Sequence, residues 1–151
     1  MKKILLSIIA FVSIFTLTVC GNKTAITEET FTKKAQELGF EIYDVSSQYS
    51  SYGYVKSATV AKSGSWQLEF YELDSKDKAK SMFETNKKNF ESQKGSTNTS
   101  NSKTIGNYST FTLNTNETYM HLCRIDTTFL YVKVPKENKD DANKLIDAIG
   151  Y

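Results

Sequence analysis

The segment Trp66-Gln67-Leu68-Glu69-Phe70-Tyr71-Glu72-Leu73 alternates apolar and polar side chains along most of its length. The even-numbered side chains from Trp66 to Phe70 are large and apolar, whereas the odd-numbered ones from Gln67 to Tyr71 carry polar groups. Successive side chains of a β-strand point to opposite faces of a sheet. The segment therefore predicts a strand with one face in the core and one face in water, and it places Tyr71 on the wet face.

A second strand, Phe129 to Val134, lacks this alternation. Leu130, Val132 and Val134 are apolar, and so is most of what lies between them. A strand that is apolar on both sides predicts a central position, buried on both faces of the sheet. Pro135 follows and ends the strand, because proline cannot donate a ladder hydrogen bond.

Turn residues and hydrophobic patterning predict four further strands, at 41–45, 55–62, 104–114 and 117–126. Between the first two, the segment 46–54 predicts a loop. Residues 95–103 are polar and of low complexity, which is typical of a linker with no apolar side chains to pack.

Three amphipathic helices complete the pattern. The first begins after Thr27 and ends at Gly39, the second follows Asp74 or Ser75 and ends near Gly95, and the third follows Asn138. Their inner stripes are predicted to be Phe31, Ala35 and Leu38; Ala79, Met82, Phe83 and Phe90; and Ala142, Leu145, Ile146 and Ile149.

The element order α-βββ-α-βββ-α predicts an α+β fold, in which an antiparallel sheet of about six strands carries helices packed on one face. Residues 27–151 form a single domain of this kind. A shift of 63 residues carries Trp66 onto Phe129 and Ser75 onto Asn138. We therefore weigh an internal duplication of residues 41–94 and 104–151 against the resemblance that any two strand-then-helix units share.

The charge balance argues against nucleic acid as a partner. The 19 basic side chains include Lys2 and Lys3, so a chain that loses residues 1–19 is formally neutral against its 17 acidic side chains. Arg124 is the only arginine, and arginine is the usual reader of phosphates and base edges.

The first residues have the layout of a bacterial export signal. Lys2 and Lys3 precede an uncharged, largely apolar run that ends at Val19. The segment Leu17-Thr18-Val19-Cys20 resembles the lipobox of bacterial lipoproteins. The resemblance implies that residues 1–19 are removed, that Cys20 carries the lipid, and that residues 20–26 tether the domain to the outer face of the cell membrane, as in Gram-positive bacteria. The lysine-, asparagine- and isoleucine-rich composition resembles that of proteins from low-GC Gram-positive bacteria.

Val19 departs from the small residue that the lipobox has before its cysteine. Cleavage by an ordinary signal peptidase after Gly21 is the alternative, with Val19 and Gly21 as the small-residue pair. That cleavage would discard Cys20 and release the domain as a secreted protein, such as an inhibitor or a scaffold.

Catalytic signatures are scarce. His121 is the only histidine, and Cys123 lies two residues further along the same predicted strand, so both side chains share a face. This pair is the weak candidate for a metal site or for a cell-envelope hydrolase or metal-dependent enzyme. A buried histidine beside a buried cysteine is the simpler interpretation. No dinucleotide or phosphate-binding motif occurs, so we predict no catalytic residues and no cofactor.

The most promising functional segment is the loop with Tyr49, Tyr52 and Tyr54 among serines and Gly53. Tyrosine combines a rigid aromatic face with a hydroxyl, and this chemistry recurs in loops that bind proteins and sugars. Tyr71 would extend the same surface if it lay near the loop. We therefore predict a non-enzymatic, membrane-anchored binding module for a protein or glycan ligand.

Overall fold

The computed structural model describes residues 21–95 and 97–151. Residues 1–19 and Cys20, which are the predicted signal peptide and lipid attachment site, lie outside the described residues. Within this part, seven strands and three α-helices form an α+β fold. The helices are α1 (Glu28–Glu37), α2 (Lys76–Glu91) and α3 (Lys139–Ala148), and the strands are β1 (Glu41–Asp44), β2 (Val55–Ser63), β3 (Trp66–Leu73), β4 (Thr99–Ile105), β5 (Tyr108–Asn114), β6 (Thr118–Ile125) and β7 (Thr128–Pro135).

All seven strands belong to one antiparallel sheet with the order β1-β2-β3-β7-β6-β5-β4. The strand β7 occupies the centre, between β3 and β6. Leu130 and Val132 are buried on one face and Phe129 on the other, so the prediction of a central strand buried on both faces is confirmed. It ends at Pro135, as expected.

The seventh strand comes from the predicted linker. Instead of one strand over 104–114, the chain forms the hairpin β4–β5 around the turn Gly106-Asn107. Gly106 has a φ of 52°, and a positive φ at the first of two turn residues suits the right-handed twist of a hairpin. Six of the seven side chains of β4 are exposed. An edge strand bonded through its main chain needs no apolar side chains, which is why polar composition was a misleading signal for a linker.

The helices cover both faces of the sheet, so the prediction of helices on one face is wrong. The helices α1 and α3 pack on the face that carries Leu68 and Leu130, whereas α2 packs on the opposite face with Phe111 and Phe129. The physical reason is that the central strands are apolar on both sides, and each side must be removed from water.

The predicted wet face of β3 is covered towards its C-terminal end, whereas Gln67 is exposed as predicted and Glu69 is half-buried. Tyr71 is 5 % exposed and Leu73 is 1 % exposed. The predicted helix stripes are buried except at their margins, where Met82 is half-buried and Leu38 is exposed. Leu38 follows the last residue of α1 and points away from the sheet because the chain turns at Gly39, which has a φ of 84°.

The 63-residue correspondence holds for the positions of the elements. The strand β2 begins at Val55 and β6 at Thr118, and the two following helices begin at Lys76 and Lys139. The correspondence does not extend to side-chain orientation, because Trp66 packs with α1 and α3 whereas Phe129 packs with α2. The helices that follow the matched hairpins therefore lie on opposite faces of the sheet.

The predicted tether is part of the fold from Gly21 onward. Lys23 donates its main-chain N–H to Asn107 Oδ1 over 2.9 Å, and Asn107 Nδ2 donates to the Lys23 carbonyl over 2.7 Å. Ala25 and Ile26 pack against the core on the α1 and α3 face. This packing was not predictable from the sequence, because the segment contains too few apolar residues to show a periodic pattern.

Candidate functional site

The segment 46–54, named here the tyrosine loop, folds back over the sheet face that α2 shares. It begins with a short 3-10 helix, Ser46–Tyr49, and continues through a turn in which Tyr52 donates its main-chain N–H to the Tyr49 carbonyl over 2.8 Å. Between the loop and α2 lies a cavity of about 460 Å³, named here the tyrosine groove. Its walls are Tyr49, Tyr52, Tyr54, Val55, Lys78, Ser81, Met82, Thr85 and Asn86.

A relay of hydroxyl groups fixes the floor of the loop. The Tyr71 hydroxyl donates to the Glu69 carboxylate over 2.5 Å, and the hydroxyls of Tyr49 and Tyr71 are 2.8 Å apart. Because Tyr71 has one proton and gives it to the carboxylate, Tyr49 is the donor in the second bond. Burial, followed by the nearby Glu69 carboxylate, raises the pKa of Tyr71 far above its ordinary value, so the hydroxyl stays protonated.

Aromatic contacts connect this floor to the rim. The Tyr49 ring meets the Tyr71 ring edge-on with centroids 5.3 Å apart, and Tyr52 meets Tyr54 in the same way at 5.9 Å. Lys78 Nζ lies 5.0 Å from the centre of the Tyr54 ring, close enough for a cation–π contact. Tyr52 remains 51 % exposed, which makes it the most accessible aromatic group of the loop.

The structure brings all four predicted tyrosines together, but they occupy different positions. Tyr49, Tyr52 and Tyr54 line the groove, whereas Tyr71 is buried beneath the loop and holds Tyr49 in place. The opposite wall, on α2, was not predicted. Lys78, Met82 and Thr85 recur at helical spacing beside the buried stripe, and this spacing was the available signal.

The groove suits a neutral or weakly anionic ligand. Lys78 is the one charged side chain among the lining residues that the structure describes. Aromatic faces, a Met82 thioether and the polar groups of Ser81, Thr85 and Asn86 supply flat apolar surface beside donors and acceptors. This composition supports stacking and hydrogen bonding with a ligand.

The second predicted site lies on the opposite face of the sheet. His121 and Cys123 share the α1 and α3 face; the imidazole is 8 % exposed and the thiol is fully buried. His121 Nδ1 lies 3.1 Å from Thr112 Oγ1, and its ring stacks on Tyr119. The simpler interpretation, a buried histidine beside a buried cysteine, describes this arrangement.

The protonation states of this pair oppose nucleophilic chemistry. Burial, with a smaller effect of the Lys23 ammonium, lowers the pKa of His121 to about 4. Burial raises the pKa of the Cys123 thiol to about 12, against the smaller opposite effects of Lys23 and Arg124. At neutral pH the thiol is therefore protonated and the imidazole uncharged, whereas a cysteine nucleophile acts as the thiolate. Within residues 21–95 and 97–151, no three histidine, cysteine, aspartate or glutamate side chains are grouped to hold a metal ion.

Comparisons with known proteins return no relative for this chain. A scan against protein-family models, a search of curated proteins and a search of solved structures each found no match. Among the helices that the structure describes, none has the length and apolar character needed to cross a membrane.

Proposed function

We propose that this chain is an extracytoplasmic lipoprotein, anchored to the cell membrane through Cys20, whose domain binds a protein or glycan ligand without catalysis. The observation that carries the binding function is the tyrosine groove, in which three tyrosines of one loop face a polar flank of α2 across a cavity of about 460 Å³. The lipobox-like segment that ends at Cys20 supports the anchoring.

Two features of the groove favour ligand binding over a purely structural loop. Tyr49 is held from below by Tyr71 and Glu69, so its ring is oriented before any ligand arrives. Tyr52 at the rim leaves about half of its surface in water. Rigid aromatic groups with exposed faces lose little conformational entropy on binding.

Binding is tested with sheared, protein-free cell-wall peptidoglycan as the probe for a glycan ligand of the envelope. The detergent-solubilised full-length protein is sedimented with this material, and the bound fraction is compared between wild type and Tyr52→Ala. We expect the variant to lose most of the binding, because one exposed aromatic contact commonly accounts for a large share of an interface's affinity.

Tyr43→Ala is the matched control. Tyr43 is 45 % exposed and lies on β1, outside the lining of the groove. The two variants remove the same side chain from equally accessible positions. Equal loss of binding in both would contradict a site confined to the groove, because Tyr43 lines a neighbouring cavity that shares only Tyr49 with it. Failure of the wild type to bind would exclude this glycan and leave a protein ligand, to be sought by crosslinking from position 52 with the same two variants compared.

Anchoring is tested separately. Cells are labelled with a palmitate analogue, and the intact mass of the purified protein is compared between wild type and Cys20→Ala. A lipid mass that depends on Cys20 supports the anchor. An unlipidated chain that begins at Asn22 would instead make the protein a secreted one.

A further inference from the structure

The fold begins immediately after the proposed lipid attachment site. The Asn107 side chain bonds to both the main-chain N–H and the carbonyl of Lys23, and Lys23 Nζ donates to the Gly150 carbonyl over 2.8 Å. Ile26 donates its N–H to the Tyr151 hydroxyl over 3.3 Å. Residues 23–26 therefore have fixed positions on the domain.

Gly21 and Asn22 also contact the domain. A Cβ built on Gly21 would be 3.6 Å from Ile105 Cγ2, and a Cβ on Gly106 would collide with the Gly21 carbonyl and with Asn22 Oδ1. The start of the described chain and the β4–β5 turn thus pack against each other through glycines, which permit this close approach. The described chain is therefore in contact with the domain from Gly21 onward.

This contact lies at one end of the sheet, named here the anchor end. It comprises the turns Gly106-Asn107 and Asp126-Thr127, the chain start at Gly21 and the C-terminal Gly150. The turns Gly64-Ser65 and Thr115–Glu117 lie at the opposite end of the strands. The strand β3 has eight residues, so the two ends are separated by roughly 20–25 Å.

We infer that the anchor end faces the lipid bilayer and that the domain is held there in one orientation, an inference that rests on the proposed lipidation of Cys20. Consecutive Cα atoms are about 3.8 Å apart, so a lipid on residue 20 keeps residue 21 within a few ångströms of the headgroups. Because Gly21 is fixed on the fold, the turns next to it lie at a similar distance from the membrane.

The cations at this end are suited to that position. Lys23 Nζ and Lys103 Nζ lie 5.3 and 5.9 Å from the centre of the Tyr108 ring, beside the chain start. Ammonium groups near the bilayer are attracted to the anionic headgroups of a bacterial membrane. The exposed Lys103 on the edge strand β4 can extend towards them while its stem stays on the protein.

The same geometry places the tyrosine groove close to the membrane. A row of hydrogen bonds crosses the anchor end from the chain start to Tyr54, at the groove: Lys23 with Asn107, Asp126 N–H to the Asn107 carbonyl, Leu73 N–H to the Thr127 carbonyl, and Asp74 N–H to the Tyr54 carbonyl. Asn107 and Tyr54 are separated by a few strand spacings of about 4.8 Å each. The groove therefore meets ligands that lie at or near the membrane surface.

The test measures how close each end of the sheet comes to lipid. Lipidated full-length protein is placed in nanodiscs of phosphatidylcholine and phosphatidylglycerol that contain a nickel-chelating lipid. A nitroxide is attached to Thr127→Cys or to Ser65→Cys, which occupy the second position of two-residue turns at opposite ends of the sheet. Cys123 is buried and its thiol is protonated, so it does not compete for the label.

We expect nickel to enhance the relaxation of the Thr127 label several-fold more than that of the Ser65 label. A flexible Gly-Ser segment of about ten residues inserted after Cys20 should abolish the difference, because such a segment lets the domain reorient. Equal relaxation in the lipidated protein, or a stronger effect at Ser65, would overturn the orientation while leaving the lipid anchor intact. A chain without lipid mass would overturn the anchor as well.

Discussion

On one face of the sheet α1 packs over β1, β2 and β3 and α3 packs over β7, and the last residue, Tyr151, lies in the same core and bonds to Thr128 over 2.6 Å. On the other face α2 covers the centre, and the region over β2 and β3 is left to the tyrosine loop. The first face is covered mainly by helices, with Ala25 and Ile26 of the chain start beside them, and the second is covered partly by the tyrosine loop.

The difference indicates where a ligand can bind. On the helical face His121 is buried, and the cavity beside Phe40 and Trp66 is about 240 Å³, against about 460 Å³ in the tyrosine groove. A face closed by a loop depends on few contacts, and such regions open at lower free energy than helices and strands in the core. The tyrosine groove lies at the boundary between α2 and this loop, so ligand binding and local stability should respond there independently of the helical face.

Truncation of the core on the helical face should have the largest effect. Phe31 is fully buried and stacks on Phe70 with ring centroids 4.9 Å apart. We expect Phe31→Ala to lower the free energy of unfolding by about 3–5 kcal/mol, because the cavity left in a packed core cannot be refilled. Urea denaturation measures the loss. A decrease below about 1 kcal/mol would show that α1 contributes little to the closed face.

Acid should weaken the same face through His121. Its pKa is about 4 in the folded protein and 6.5 without the fold, so the unfolded chain binds the extra proton first as the pH falls. The stability due to a neutral His121 is therefore complete above pH 6.5 and decreases between 6.5 and 4, by at most about 3 kcal/mol. His121→Gln keeps a polar group near Thr112 and cannot titrate.

The measurement is the free energy of unfolding against pH for wild type and His121→Gln. Subtracting the two profiles removes the contributions of carboxylates such as Asp126, whose pKa is lowered mainly by its bond to Lys76. Parallel profiles across this pH interval would contradict a buried, uncharged imidazole.

Loss of one hydroxyl beneath the tyrosine loop should have an intermediate effect. Tyr71→Phe removes the group that links Tyr49 to Glu69. We expect a loss of about 1–3 kcal/mol, because a partly buried donor and acceptor are left without their partner. Tyr43→Phe is the control, since its hydroxyl bonds to Glu41 in water and its removal should change stability by less than about 0.5 kcal/mol. Equal effects would mean that the relay does not support the loop.

The pattern of the sequence was sufficient for the central strands and the helices. Alternation along β3, the apolar run of β7 and the caps at Thr27 and Ser75 depend on neighbours in the chain, and each appears in the structure. The edge strand β4 was missed because its pairing is made by main-chain groups, which all residues share.

The candidate site could likewise be predicted only in part. The tyrosines of the loop were visible as a cluster in the sequence, but the role of Tyr71 was not. Whether an odd-numbered side chain of β3 faces water depends on where α2 packs, and the sequence does not specify which face a helix covers after its turn. The wall formed by Lys78, Met82 and Thr85 was missed for the same reason.

The smallest change in stability is expected at the rim of the groove. Tyr52 is half exposed, and its ring contacts those of Tyr49 and Tyr54, at centroid distances of 6.4 and 5.9 Å. Tyr52→Ala should therefore change the free energy of unfolding by no more than about 0.5 kcal/mol, while amide exchange within the loop becomes faster. Urea denaturation and hydrogen exchange of the same sample separate the two effects. A loss comparable to that of Phe31→Ala would mean that the tyrosine loop is part of the core, and the contrast between the two faces would no longer hold. If the free energy of unfolding is unchanged and amide exchange within the loop is faster, the fold does not need the Tyr52 side chain. Its exposed position is then best explained by a ligand.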